Sequence, residues 1–378
     1  MQVRSVSWAP AQGWAPPLPA ELDSESTLVV AFAAPHLGGE STPLAELREV
    51  FPRSRVVGCS TAGEILGDAL CDDTVAVGVA RFERTRVETT TARVSSSADS
   101  AAAGRRVAES LAAPDLRAVF ILSDGLLVNG SELVQGTTSA LASDVVVTGG
   151  LAGDGDRFGH TWVFADGEPT EGAVAGVGLY GHAVRVGTGS YGGWDVFGPE
   201  RRVTRAERNV LYELDDRPAL SLYKEYLGDR AGALPAAAMR FPLAVRAGRH
   251  TERRIVRTIL AVDEDRQSMT FAGDLPVGGL AQLMRANQDR LVDGAMQAAA
   301  MSTPTPTAGA QLAVAISCVG RRLVLGERTE EEIEATREAL PAGAHLVGFY
   351  SYGEIAPHGE GCSDLHNQTM TVTAIGET

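Results

Sequence analysis

Two stretches near opposite ends of this chain read alike, and no other feature restricts its fold as much. Residues 55–65 (RVVGCSTAGEI) answer to residues 345–355 (HLVGFYSYGEI), each an apolar run into G-x-x-x-x-G-E-I. The flanks match in the same order. TLVVAFA at 27–33 answers to QLAVAIS at 311–317, AELREVFP at 45–52 to EATREALP at 334–341, and LCDDTVAVGVA at 70–80 to LHNQTMTVTAI at 365–375. Apolar, β-branched runs bounded by turn residues predict buried strands, and the amphipathic spacing between them predicts a helix. The expectation is a duplicated strand–helix–strand–strand unit whose two copies meet about a pseudo-two-fold axis.

Between the copies the same grammar continues. Residues 116–124 predict a strand, 97–111 and 130–141 predict helices, and 144–148 predict a strand running into the Gly-rich turn 149–154. Residues 160–165 and 172–180 add strands without helices between them. The fold class expected is therefore α/β, mixed β-sheets layered with helices. Further on, 215–227 and 280–301 predict helices, and Pro304 and Pro306 in TPTPT (303–307) mark a break. Glycines at 187, 189, 192 and 193 suggest a domain boundary. This gives an irregular lead over 1–26, one domain over 27–186 and another over 187–378.

Length and charge then exclude several functions. At 378 residues the chain can bury two cores. A formal net charge of −15 disfavours nucleic acid and anionic membrane surfaces. No apolar run reaches a membrane span's roughly 18–20 residues, and the Pro- and Trp-rich start lacks a signal peptide's apolar core. The four cysteines (59, 71, 318, 362) form no C-x-x-C pair, consistent with a reduced cytoplasmic setting.

The candidate site is where three turns would approach one another: Cys59, Ser60, Thr61 and Glu64; Gly150 and Asp154; and Tyr350, Ser351, Tyr352 and Glu354, with Asn367 nearby. Small residues on one copy leave room, while tyrosines on the other supply walls and donors. A glutamate there can meet an ammonium, and Arg246 or Arg257 can clamp a carboxylate. The alternative is that the glycines only make tight turns and the glutamates cap neighbouring amides. Neither turn is a phosphate loop, because Glu stands where a cation is needed. Cys59 beside Ser60 raises a Cys/Ser-dependent enzyme, but no base follows in a recognisable order. The seven histidines lack metal-ligand spacing, and His366 is the one candidate axial ligand for a haem.

Together with the turn 149–154, TWVF at 161–164, SCVGR at 317–321 and the stretch 366–369, the two G-E-I turns make the chain resemble the FIST N and FIST C domain family. The resemblance implies a bacterial sensory module, not an enzyme, that binds a small molecule, amino acids being proposed. A haem-based nitric-oxide sensor is the alternative. It also implies a separate output partner, because no output domain is legible after residue 375.

Overall fold

The computed structural model describes all residues except 39–41, 235, 252–253, 304–308 and 359–361. The chain is α/β: among the described residues, three six-stranded mixed sheets carry most of the helices, and a nine-stranded sheet carries the helix Ala219–Leu227.

Each six-stranded sheet is built around the four main strands of one unit, and the three units share one strand order. In the first, strands Thr27–Ala33 and Arg55–Ser60 run parallel, joined through the helix Thr42–Val50. Strand Val75–Arg81 then returns antiparallel on the other side of Thr27–Ala33, and the leading strand Gln2–Ala9 pairs with it. The second unit repeats this with Leu116–Ser123, Val146–Leu151, Ala173–Tyr180 and the leading strand Arg86–Arg93. The third repeats it with Gln311–Cys318, Ala344–Ser351, Met370–Glu377 and the leading strand Val184–Tyr191. Two copies about a two-fold is thus replaced by three units. The middle one is hard to recognise in the sequence because its turn reads VTGGLAGD (147–154) against VGCSTAGE (57–64), keeping the spacing of small residues and the closing acid but not the G-E-I text.

Alternation along the central strands explains the layering. Leu28, Val30 and Phe32, Ala118, Phe120 and Leu122, and Leu312, Val314 and Ile316 enter one shared core, where the Phe32 and Phe349 rings lie 4.6 Å apart. The intervening residues face the helices: Val29 and Ala31 meet Leu44 and Leu47, while Val119 and Ile121 meet Ala103 and Leu133.

The segment after each second strand does not stay in its own sheet. Strand Glu64–Leu66 of the first unit pairs with Ala344–Ser351 of the third, Gly353–Pro357 of the third with Val146–Leu151 of the second, and Val163–Ala165 of the second with Arg55–Ser60 of the first. The exchange is cyclic. It covers three sheet edges with segments that are long-range in sequence.

Three further expectations need correction. The lead over 1–26, read as irregular, holds the strands Gln2–Ala9 and Gly13–Ala15 of the first sheet, because Val3 and Val6 alternate into its core faces. The predicted helix over 280–301 is a strand, Leu280–Arg285, followed by a helix, Gln288–Met301, capped by the Asn287 side chain. The glycines read as a domain boundary lie in and beside the strand Val184–Tyr191. A Cβ on Gly189 would come within 2.0 Å of the Ala298 carbonyl oxygen, so the residue is glycine to let that helix lie close on the sheet. The helix ends at Met301, while TPTPT falls, from residue 304 on, outside the described residues.

Residues 192–287 form an insertion between the third unit's leading strand and its helix. It has its own sheet and a core around Leu211, Leu220, Tyr223 and Phe271. Trp194 donates to the Gln368 carbonyl (2.8 Å), and Arg257 to the Leu365 carbonyl (2.9 Å), fastening the insertion to the three-sheet body. No described helix is long and apolar enough to cross a membrane.

Candidate functional site

The three turns do converge. The Ala62 N–H donates to the Tyr350 carbonyl (2.8 Å), that of Gly153 to Ser60 (3.0 Å) and that of Tyr352 to Leu151 (3.3 Å). Convergence fills the space. Cys59, Ser60, Thr61, Tyr350 and Ser351 are all buried, and Gly150 lies in the ladder opposite Glu354.

Both glutamates serve the turns. Glu64 accepts from the Thr61 hydroxyl, and from the Thr74 N–H (3.1 Å) and hydroxyl (2.7 Å). Glu354 does the same with the Ser351 hydroxyl (2.8 Å) and with the Thr369 N–H (3.2 Å) and hydroxyl (2.8 Å). Each ties its turn to the residue that starts the unit's last strand. Burial pushes Glu64 up to about 7 and Glu354 up to about 8, against those hydrogen bonds. Neither carboxylate is available to a ligand's ammonium, so the capping alternative describes both.

Asp154, the third unit-closing acid, has a different task. It accepts the Tyr352 hydroxyl and the N–H groups of Phe158 (3.0 Å), Gly159 (2.8 Å) and His160 (2.8 Å). Burial alone would raise its carboxyl, but these donors hold it below the usual range. They also fix Phe158 at φ 50°, stacked on Tyr352 with centroids 4.7 Å apart. A bulky residue held in the left-handed region is costly, and such strain gathers at functional sites.

Beside this strained loop lies a cavity of about 270 Å³ between the three-sheet body and the insertion. The body contributes Leu126, Val128, Leu151, Phe158, Val319 and Tyr352, and the insertion contributes Met239, Thr258, Leu260 and Phe271. Leu126, Phe158 and Leu260 are 38%, 44% and 43% exposed, an apolar rim around the opening. Gly125 and Gly320 also line the cavity, and a Cβ on Gly125 would come within 1.9 Å of the Ala152 carbonyl oxygen. Thr258 is buried, and its hydroxyl has no hydrogen-bond partner among the described residues.

Of the residues expected from sequence, Tyr352 alone lines this cavity. Arg246 and Arg257 line a separate cleft of about 450 Å³, where Arg246 pairs with Glu200 at 2.5 Å and Arg257 donates to the Asp274 and Leu365 carbonyls. Their guanidiniums are spent on structure. The Asn367 amide is fully buried, with neither atom hydrogen-bonded among the described residues. Thr258, Leu260 and Phe158 carried no sequence signal, whereas Val319 and Gly320 lie in SCVGR, one of the segments behind the family resemblance.

His366 does not fit a haem. Its ring is buried, with Nε2 3.1 Å from the Ala356 carbonyl and the face stacked on His358 at 5.8 Å, so the axial nitrogen is already placed against a backbone carbonyl. Burial lowers it to about 4.

The thiols give a direct check of these placements. Burial, with Glu64 nearby, raises Cys59 well above the ordinary range, and burial raises Cys318, while Cys362 is exposed. A mild alkylating agent at neutral pH should modify Cys362 first and reach Cys59 and Cys318 only after unfolding. Rapid native-state labelling of Cys59, read by peptide mapping, would contradict this arrangement.

The FIST N domain matches residues 27–217, and the FIST C domain matches residues 219–357. The chain belongs to the FIST family. FIST domains are associated with sensory signal transduction. No curated protein matches the chain. The FIST N match covers the first unit without its leading strand, the second unit and the third unit's leading strand, and runs into the insertion, while the FIST C match covers most of the insertion and much of the third unit. The cavity is therefore lined from both FIST segments.

Proposed function

We propose that this FIST protein is a small-molecule-binding sensory module whose ligand occupies the cavity between the three-sheet body and the insertion. The observation that carries the reading is an apolar, partly exposed rim leading to a buried hydroxyl, Thr258, with no partner among the described residues, beside a strained loop. Binding pockets are concave and mostly apolar, with a few placed polar groups. A ligand there touches both bodies, so its binding free energy favours one placement of the insertion over others. That difference is what a separate output protein would read.

Binding is favoured over catalysis because the thiol in the cavity wall, Cys318, is held protonated by burial, and no imidazole is among the lining residues described. Native mass spectrometry of freshly purified protein tests the reading, with Ala272→Phe as the variant that fills the cavity. A compound retained by the wild type and lost from Ala272→Phe is the expected result. The same compound on both proteins would place the site elsewhere.

A further inference from the structure

The chemistry of the cavity wall restricts the ligand further, on the reading that this cavity is the site. We infer that it takes an uncharged or singly anionic, mainly apolar molecule, and not a zwitterion such as a free amino acid. A zwitterion entering a closed space needs an anion for its ammonium as well as donors for its carboxylate, because a buried charge without a partner is costly. No carboxylate is among the residues described as lining the cavity.

Three acids near its wall, Asp124, Asp154 and Asp274, are committed to other partners. Asp124 accepts the N–H groups of Leu126 (2.8 Å), Leu127 (2.7 Å) and Gly172 (3.1 Å). Asp154 is held by three amides and Tyr352, and Asp274 accepts from Asn129 (3.1 Å). Glu64 and Glu354 are buried within the turns and line no described cavity.

What the wall offers is one cation and several uncharged polar groups, of which Asn129, Asn209 and Tyr352 are hydrogen-bonded within the protein, while the buried Thr258 hydroxyl has no partner among the described residues. Arg208 lines the cavity with a side chain 55% exposed, 3.5 Å from Glu132, so it can meet a single negative charge at the opening. Thr258 supplies a hydroxyl inside, free to donate to a carbonyl or ether oxygen. The remaining side-chain surface is mainly Leu, Val, Met and Phe. At about 270 Å³ the space is at or just below the small end of ligand pockets, which begin at roughly 300 Å³. A single ring or a short branched chain with one polar end suits it.

The test uses three probes of one shape: phenylalanine, 3-phenylpropionate and 3-phenylpropanamide, titrated calorimetrically into the full chain. The propionate and the amide should each bind at least about tenfold more tightly than phenylalanine. Thr258→Val should weaken both by roughly tenfold while leaving the melting temperature of the free protein unchanged or higher, because an unpaired buried hydroxyl is removed. Arg208→Asn, chosen because asparagine tolerates the φ of 50° found there, should weaken the propionate alone. Phenylalanine binding as tightly as the propionate, and still weakened by Thr258→Val, would overturn the ligand class and leave the cavity as the site. No binding by any probe at millimolar concentration, or binding indifferent to both Thr258→Val and Ala272→Phe, would overturn the site as well.

Discussion

Replacing Arg321 with methionine is expected to lower the unfolding free energy by about 3–5 kcal/mol. Arg321 and Glu332 form an ion pair at 2.8 Å with both side chains fully buried. The guanidinium also donates to the carbonyls of Gly192 (2.5 Å) and Leu291 (2.7 Å), and Glu332 accepts the hydroxyls of Ser317 (3.0 Å) and Tyr350 (2.7 Å). This one pair therefore joins the third unit's first strand, its second strand, three helices and the start of the insertion. Removing the cation leaves a buried carboxylate with neutral donors only, and two carbonyls lose their partner. The double variant Arg321→Met/Glu332→Leu should recover part of the loss, since both desolvation costs disappear together. Urea unfolding of the wild type, both single variants and the double variant measures the coupling. A loss under about 1 kcal/mol for Arg321→Met would mean that the pair contributes little.

The second large effect is a fall in stability with rising pH. Glu354 and Glu64 have folded-state values raised to about 8 and about 7, above the 4.5 of an ordinary glutamate. A raised acid binds its proton more tightly in the folded state. Its stabilisation is complete below about 4.5 and is lost as pH rises through the folded value. Below about 6.5 the trend is offset, because His366 and His345 are lowered by burial and favour the folded state as pH rises. The clean window is pH 6.5 to 8.5. Over it the wild type should lose about 2 kcal/mol through Glu354 and about 1 kcal/mol through Glu64. Glu354→Gln should flatten the curve by the larger amount, and Glu64→Gln by the smaller. A wild-type curve level across this window would show that neither carboxyl is protonated in the folded protein.

The sequence alone determined the parts that repeat locally. Strands such as Thr27–Ala33 and Gln311–Cys318 were legible because their runs are apolar throughout, as strands buried on both faces must be. The Glu64 and Glu354 turns were legible because a strand end needing glycine and a closing acid leaves a fixed spacing. Three features were decided only by the tertiary structure. The strand Glu64–Leu66 pairs in another unit's sheet, and backbone ladder bonds leave no residue-specific mark of which edge they join. Glu332 partners Arg321 from within a helix whose text, TEEEIEATREA, reads as a solvated acidic face. The cavity exists because Thr258, Phe158 and Val319, far apart in the chain, surround a space that none of them fills. Periodicity reports which side of an element is buried. It does not report what lies opposite, and a ligand site is made by what lies opposite.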